Sequence, residues 1–405
     1  MINTTITGHF PFSYVPAGER SRSSRKILYL TVHDPHTPLS GAGVRSHAFV
    51  RYLSEHFTVD LVYMEGSGQA PLAGGLGVVN ALPAVRSTTE IPFTRRGYFL
   101  FSRAFLAAAR KYLSTESYDA VLCDYGLCGI YGLRLRREFN VPIVYSSHNV
   151  EYLGYLDKAV GDVRRLPLAL YVYAVEKAIA EHADIVVSIT DQEKSHYRRW
   201  RAEKPMIVIP QGIDENVFNT NYTPVINARK TILFCGNFTI PFNMDVVRMV
   251  QQKILPKVRE KRPDVLFSFI GAAPPAIVDP NMEFLGFVKD YPSHLKAADV
   301  VISPMLRGHG FPTKIIEALA CGKPTVATAV GARGVPSFAS LHVKDVDDFA
   351  ETILQILSED HPVESDQFAE IRDTFGWDAL VGRLHDQLDL LWGKRPALRV
   401  ANHPS

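Results

Sequence analysis

Three observations make the chain a doubly wound α/β protein with two parallel sheets. Short apolar runs of strand length alternate with stretches of helical period along nearly the whole sequence, which is how repeated βαβ units read. The alternation stops once, past the middle, and then starts afresh. At 405 residues the chain also exceeds one ordinary core and suits two domains of roughly 150 to 200 residues.

In the first series residues 26–32 read as a strand, 41–56 as loop and helix, and 58–63, 120–123, 141–145, 185–189 and 207–209 as later strands. At Pro210-Gln211-Gly212-Ile213-Asp214 the periodicity ends, and a Pro- and Asn-containing stretch without helical pattern runs to Arg229. The second series has strands at 231–235, 266–271, 283–284, 300–303 and 325–327, with helices at 244–261 and 313–321. A last helical stretch, 377–392, has no strand after it and is expected to cross back onto the first domain. The expected division is therefore a tail at 1–25, a first domain at 26–215, a second at 216–376, a crossing helix at 377–394 and a tail at 395–405. No fixed 20- to 50-residue repeat is visible, which sets a solenoid aside.

Composition narrows the function. Hydrophobic residues at 46% and charged residues at 21% are the balance of an ordinary folded protein. A formal net charge of +2 provides no overall field for a polyanion, so nucleic acid is not an expected partner. Cys123, Cys128, Cys235 and Cys321 form no CxxC pair and no metal-ligand spacing with histidines, so free thiols are expected and neither a metal nor a cofactor is. Residues 1–25 lack the continuous apolar core of a secretory signal. The longest apolar run, 166–175, contains a proline and is half the ~20 residues needed to cross a bilayer. A cytoplasmic enzyme is the expectation.

Ligands of open parallel sheets bind outside the carboxyl ends of the strands, so the strand-to-helix loops are where chemistry should sit. The first is Ser40-Gly41-Ala42-Gly43-Val44-Arg45, where Gly41 and Gly43 let a backbone approach a ligand and a helix N-terminus favours an anion. A plain tight turn explains the same glycines equally well, and the third glycine of a dinucleotide fingerprint is missing. The second loop, Ser146-Ser147-His148-Asn149-Val150-Glu151, puts His148 at a strand end, where an imidazole can hydrogen-bond sugar hydroxyls. A structural histidine is the competing reading.

The third loop runs from Arg307 through Gly308, His309, Gly310, Phe311 and Pro312 into a helix starting at Thr313. Unpaired N–H groups and the positive end of the helix dipole can hold a diphosphate there. Lys314 and Glu317, three apart, share one helix face and are the helix's only charges among Ile315, Ile316, Ala318 and Leu319. They offer a cation for phosphate and a carboxylate for two adjacent ribose hydroxyls. The bland alternative is an exposed salt bridge worth a few tenths of a kcal/mol. Glu317 is expected to be a surface carboxylate.

Taken in order, these segments resemble the family-4 retaining glycosyltransferases of the GT-B fold, over nearly the whole chain from Lys26 to Trp392. The resemblance is carried by 41–45, Ser147-His148-Asn149-Val150-Glu151, 176–188 and 208–214 in the first half. In the second half it is carried by Leu233-Phe234-Cys235-Gly236-Asn237, Phe269-Ile270-Gly271, Leu285-Gly286-Phe287-Val288 and 314–328. It implies two Rossmann-like domains facing each other across a cleft and a nucleotide-diphosphate-sugar donor held mainly by the second. Glu317 would be the ribose-binding carboxylate, the second glutamate of an E-x7-E motif. Lys314 falls where a subset of the family has a basic residue. Gly310 and Phe311 match the loop that offers N–H groups to phosphate and sugar, Gly271 and Val288 the nucleobase pocket, Gly41 and Gly43 the loop near phosphate and acceptor. His148 resembles the histidine that contacts the donor sugar.

Two positions depart from the family pattern. His309 stands where the first glutamate usually touches the transferred sugar, and Asn237 where many members carry a basic residue next to Gly236. Arg307 or Lys314 is expected to replace the missing cation. With His148, Lys314 and Glu317 carrying the chemistry, the implied reaction is transfer with retention to a glycan, lipid-linked or small-molecule acceptor. A nucleotide-sugar epimerase and a non-catalytic sugar-nucleotide-binding protein are the rival readings. An NAD-dependent dehydrogenase is disfavoured by the absent G-x-G-x-x-G. Lastly, Arg95, Arg96, Arg103, Arg110 and Lys111 accompany the aromatic run Tyr98-Phe99-Leu100-Phe101. That stretch reads either as a helix on an anionic membrane surface or as a core helix with snorkelling basic edges.

Overall fold

The computed structural model describes residues 24–36, 41–64, 80–84, 101–201, 203–213, 228–288, 290–308, 311–359 and 365–393. Its described residues fall into two compact units, one holding Gly212–Ala379, the other holding those up to Gln211 and from Leu380 on.

The first unit is built on a seven-stranded sheet in the order β3-β2-β1-β4-β5-β6-β7, every pair parallel. The strands are β1 (Lys26–Thr31), β2 (Thr58–Met64), β3 (Asn80–Ala84), β4 (Ala120–Asp124), β5 (Ile143–Ser146), β6 (Ile185–Ser188) and β7 (Met206–Val208). β1, β4, β5 and β6 are buried almost end to end, because helices cover both faces and no position can alternate towards water. Sequence periodicity does not reveal β3. It carries Pro83, which cannot donate to a ladder and so suits an edge strand.

Helices α1 (Gly41–His56), α2 (Arg103–Thr115), α3 (Gly129–Phe139), α4 (Glu151–Val160), α5 (Leu166–His182) and α6 (Asp191–Arg198) belong to this unit. Helix α2 starts where Ser102 accepts a hydrogen bond from the Phe105 amide at 3.2 Å. Phe105, Leu106, Ala109 and Tyr112 are buried and join the unit's core. Arg110 meets Glu138 at 2.5 Å. The described part of the basic aromatic stretch is thus a core helix with charged edges, while Arg95 and Arg96 lie outside the described residues. Among the described residues no helix is long and apolar enough to cross a membrane.

The second unit repeats the plan with six parallel strands in the order β10-β9-β8-β11-β12-β13. These are β8 (Thr231–Cys235), β9 (Leu266–Ile270), β10 (Met282–Gly286), β11 (Val300–Ser303), β12 (Thr325–Ala327) and β13 (Leu341–Val343). The long helix expected at 244–261 is α7 (Pro241–Met249) and α8 (Leu255–Lys261), joined through a π-turn at Val250–Ile254. Pro256 causes the interruption: its ring lacks an N–H and would strike the carbonyl one turn back in a regular helix. Helices α9 (Tyr291–Ala297), α10 (Thr313–Ala320), α11 (Phe349–Ser358) and α12 (Ser365–Phe375) follow.

Helix α13 (Trp377–Gly393) passes from the second unit into the first. Its Trp392 ring packs on Phe57 at 5.4 Å, lies under the Arg25 guanidinium, and donates its indole N–H to the Asp119 carbonyl at 3.1 Å. A sequence-distant anchor of this kind ties the last helix to β1 and β4 of the first sheet.

Candidate functional site

In each unit the residues of interest gather at the carboxyl edge of the sheet. In the first, the register sets Thr31 against Asp124 and Asp124 against Ser146, so the ends of β1, β4 and β5 form one row. His148 leaves two residues beyond β5 and turns back over this row. Its Nε2 lies 2.7 Å from Asp124 Oδ1, while Ser46 of α1 donates to Asp124 Oδ2 at 2.5 Å. Asp124 is fully buried. Burial alone would raise its carboxyl, but His148, Ser46 and Arg45 hold it well below the usual carboxylate range. His33, two residues beyond β1, stacks on His148 with ring centres 5.6 Å apart, and Tyr125 meets both rings edge-on.

Helix α1 begins at Gly41 itself, which makes Gly43 part of its first turn rather than of a loop. Arg45 is buried, with Nη1 donating to the Pro210 carbonyl and Nη2 to that of Ile209, both at 2.9 Å, and its guanidinium lies over the Phe49 ring. These contacts tie α1 to the segment after β7.

In the second unit β8 and β9 end side by side, with Cys235 opposite Ile270. The Gly236 amide donates to the Ile270 carbonyl at 2.9 Å and the Gly271 amide to that of Gly286 at 2.8 Å. Gly271 has φ +148°, and a Cβ there would stand 1.8 Å from the Gly236 carbonyl oxygen. Only glycine allows this approach. Val288 packs beside Cys235 and Tyr291 against Leu233, Ile270 and Ala318.

Helix α10 drives Ile315, Ile316, Ala318 and Leu319 into the core, so Lys314 and Glu317 stand together at the strand ends. Glu317 is not the surface carboxylate that the sequence suggests: Tyr291 donates to its Oε2 at 3.1 Å, and burial raises it above the ordinary value against Tyr291 and Lys314. The Lys314 ammonium lies 4.5 Å from the Phe234 ring centre. By exposed area both side chains are intermediate, but their charged ends are hemmed in by protein. For Lys314 burial outweighs the attraction of Cys235 and Glu317 and brings the ammonium down to about 8. Burial pushes the Cys235 thiol up to about 12.

The other expected donor contacts divide. Arg307 is exposed and held by Asp245 of α7, at 2.5 and 3.0 Å. Asn237 closes its own turn, its Oδ1 accepting from the Thr239 amide and hydroxyl. The Phe311 ring packs on Phe375 at 5.7 Å, which leaves its backbone as the part available to a ligand. His309 and Gly310 lie outside the described residues. Sequence reasoning missed Asp124, Ser46, His33, Tyr125 and Tyr291. An acidic residue directly after an apolar run, as in Val121-Leu122-Cys123-Asp124, was the available signal.

Two three-layer units with parallel sheets and strand-end sites define the GT-B class of glycosyltransferase folds. Sucrose-phosphate synthase from Thermosynechococcus elongatus superposes with a TM-score of 0.71 at 21% identity, covering 92% of this chain and 100% of its own. HepE of Anabaena, solved in complex with UDP, superposes at 0.64 with 15% identity, covering 90% and 100%. Family models agree: that of Glycosyltransferase Family 4 matches residues 39–217 and that of Glycosyl transferases group 1 matches 229–359. Among curated relatives, the D-inositol 3-phosphate glycosyltransferase of Mycolicibacterium smegmatis is 27% identical over 69% of this chain and 70% of its own. That of Geodermatophilus obscurus is 25% identical over 84% of each. The chain belongs to the family-4, group 1 glycosyltransferases.

Proposed function

We propose that this glycosyltransferase takes its sugar from a nucleotide-diphosphate-sugar donor held by the second unit and transfers it with retention of anomeric configuration. The observation that carries the reading is the pairing of Lys314 and Glu317 on one turn of α10, beside the end of β8 at Phe234 and Cys235. A desolvated ammonium suits a diphosphate, and a carboxylate can accept from two adjacent ribose hydroxyls. Structural neighbours solved with UDP and with UDP-glucose support the same donor class.

As the bond between sugar and diphosphate breaks, negative charge grows on the leaving phosphate. In this reading Lys314 stabilises it, and a preorganised positive group of this kind supplies much of the acceleration. In this reading Lys314 does the work of the cation absent at Asn237, since Arg307 is held by Asp245. The leaving phosphate oxygen takes the acceptor's proton on the same face, which accounts for retention without a protein nucleophile. His148 is read as a sugar-contacting residue of the first unit. The described part of α2 turns its apolar residues into the core, so no membrane contact by that helix belongs to the reading.

The test is product analysis with a panel of sugar nucleotides and mixed glycan, polyprenyl-phosphate and polyol acceptors. Release of nucleoside diphosphate together with an α- or β-linked product of unchanged configuration is expected. An isomerised donor with no free nucleotide would make the protein an epimerase and contradict the reading.

A further inference from the structure

We infer that Asp124 is a positioning residue for His148, fixing its ring so that Nδ1 stands as a hydrogen-bond acceptor for a sugar hydroxyl. This rests on the transferase reading above, in which His148 meets a sugar.

The carboxylate of Asp124 has both oxygens engaged, Oδ1 with His148 Nε2 at 2.7 Å and Oδ2 with the Ser46 hydroxyl at 2.5 Å. An ionised carboxylate can only accept, so the hydrogen in the His148 bond belongs to Nε2. In the neutral imidazole Nδ1 is then bare. Among the described residues it is buried without a hydrogen-bond partner, the state expected of an acceptor that meets a ligand hydroxyl. A second sphere of contacts fixes the ring plane. His33 stacks on one side with an interplanar angle of 20°, and Tyr125 abuts at 90°. Burial, aided by His148, lowers His33 to about 4, so at neutral pH it packs as an uncharged ring and adds no competing cation.

The backbone bears a cost to keep this arrangement. Tyr125 has φ 84°, a left-handed conformation that a non-glycine residue adopts at about 1 to 3 kcal/mol. That conformation carries the chain from Asp124 into the next helical turn while its ring stays against His33 and His148. Four separate elements, β1, α1, β4 and β5, thus converge on one imidazole. A buried pair that only pinned the strand ends would need neither a bare Nδ1 nor a strained neighbour.

The experiment combines nitrogen NMR of the full chain, labelled with 15N-histidine, with kinetics and calorimetry on Asp124→Asn, Ser46→Ala, His148→Ala and the Asp124→Asn/His148→Ala double variant. In the wild type, at a pH where the ring is neutral, His148 is expected to be protonated at Nε2 and bare at Nδ1. Asp124→Asn, whose amide can donate to Nε2, should mix the tautomers and lower kcat on the order of a hundredfold through misplacement of the ring. UDP affinity should stay within about twofold, because UDP binds the other unit in this reading. Ser46→Ala, which leaves the His148 bond in place, should lower kcat by roughly three- to tenfold. On the His148→Ala background Asp124→Asn should cost nothing further. A wild-type ring protonated at Nδ1, full kcat in Asp124→Asn, or additive losses in the double variant would each overturn the inference. Wild-type inactivity towards every sugar nucleotide would count against the transferase reading instead, with the tautomer deciding the place of Asp124 by itself.

Discussion

The Tyr291 hydroxyl donates to Glu317 Oε2 at 3.1 Å, joining the first residue of α9 to the one carboxylate of α10. The bond holds the carboxylate beside the ends of β8 and β9 and satisfies one of its oxygens, so a ribose would meet a group whose direction is already set. Removing the hydroxyl in Tyr291→Phe should weaken nucleoside diphosphate binding by roughly three- to tenfold, the worth of one hydrogen bond. Calorimetry on Tyr291→Phe checks this, and an affinity equal to that of the wild type would detach Tyr291 from the site.

Donor binding should be proton-linked through Lys314. Burial disfavours the charge and brings the ammonium down to about 8 in the free protein. A bound diphosphate supplies opposite charge and raises that value. The complex then holds more protons than the free protein above pH 8, so affinity should be steady below about pH 8 and fall, by up to about tenfold per pH unit, above it. UDP titrations from pH 6.5 to 9.5 measure the curve. Lys314→Met should flatten it and weaken binding at neutral pH, while leaving Tm unchanged or raised, since an enclosed charge is removed.

Gly271 should tolerate no side chain. A Cβ would meet the Gly236 carbonyl oxygen at 1.8 Å, and both partners are backbone, so no rotamer relieves the clash. Gly271→Ala should destabilise the protein by about 2 to 4 kcal/mol, visible as a lowered Tm. Gly382→Ala, where a Cβ meets nothing within 4 Å, is the control and should leave Tm unchanged or slightly raised.

The inner strands of both sheets were legible because they are buried on two faces and read as unbroken apolar runs between helical stretches, whereas the edge strands β3 and β13 were not. Lys314 and Glu317 were legible too, as the two charges of an otherwise apolar helix. What escaped were contacts between residues far apart in sequence. Arg45 stands at the start of α1 as an anion-binding group would, and only the fold brings it to carbonyls 164 and 165 positions away. Asp124 was lost by one residue, the strand being read as ending at Cys123, and its neighbours Ser46 and His33 carry no signal until the register aligns them. Tyr291 and Phe234, which frame Glu317 and Lys314, reach them across the sheet edge.

The central claim is that the donor diphosphate and ribose are held by Lys314 and Glu317, and it is tested most directly by calorimetric titration of UDP into wild type, Glu317→Ala and Lys314→Ala. Loss of a hydrogen bond to a charged group costs about 1.5 to 3 kcal/mol. Each variant should therefore bind UDP roughly ten- to a hundredfold more weakly, and Glu317→Gln, which keeps the shape and one acceptor, should fall between Glu317→Ala and wild type. Thermal melting of the same samples separates binding from folding, because Glu317→Ala leaves the Tyr291 hydroxyl without its acceptor. Affinity equal to that of the wild type in both alanine variants, whatever happens to Tm, would place the donor elsewhere and contradict the account.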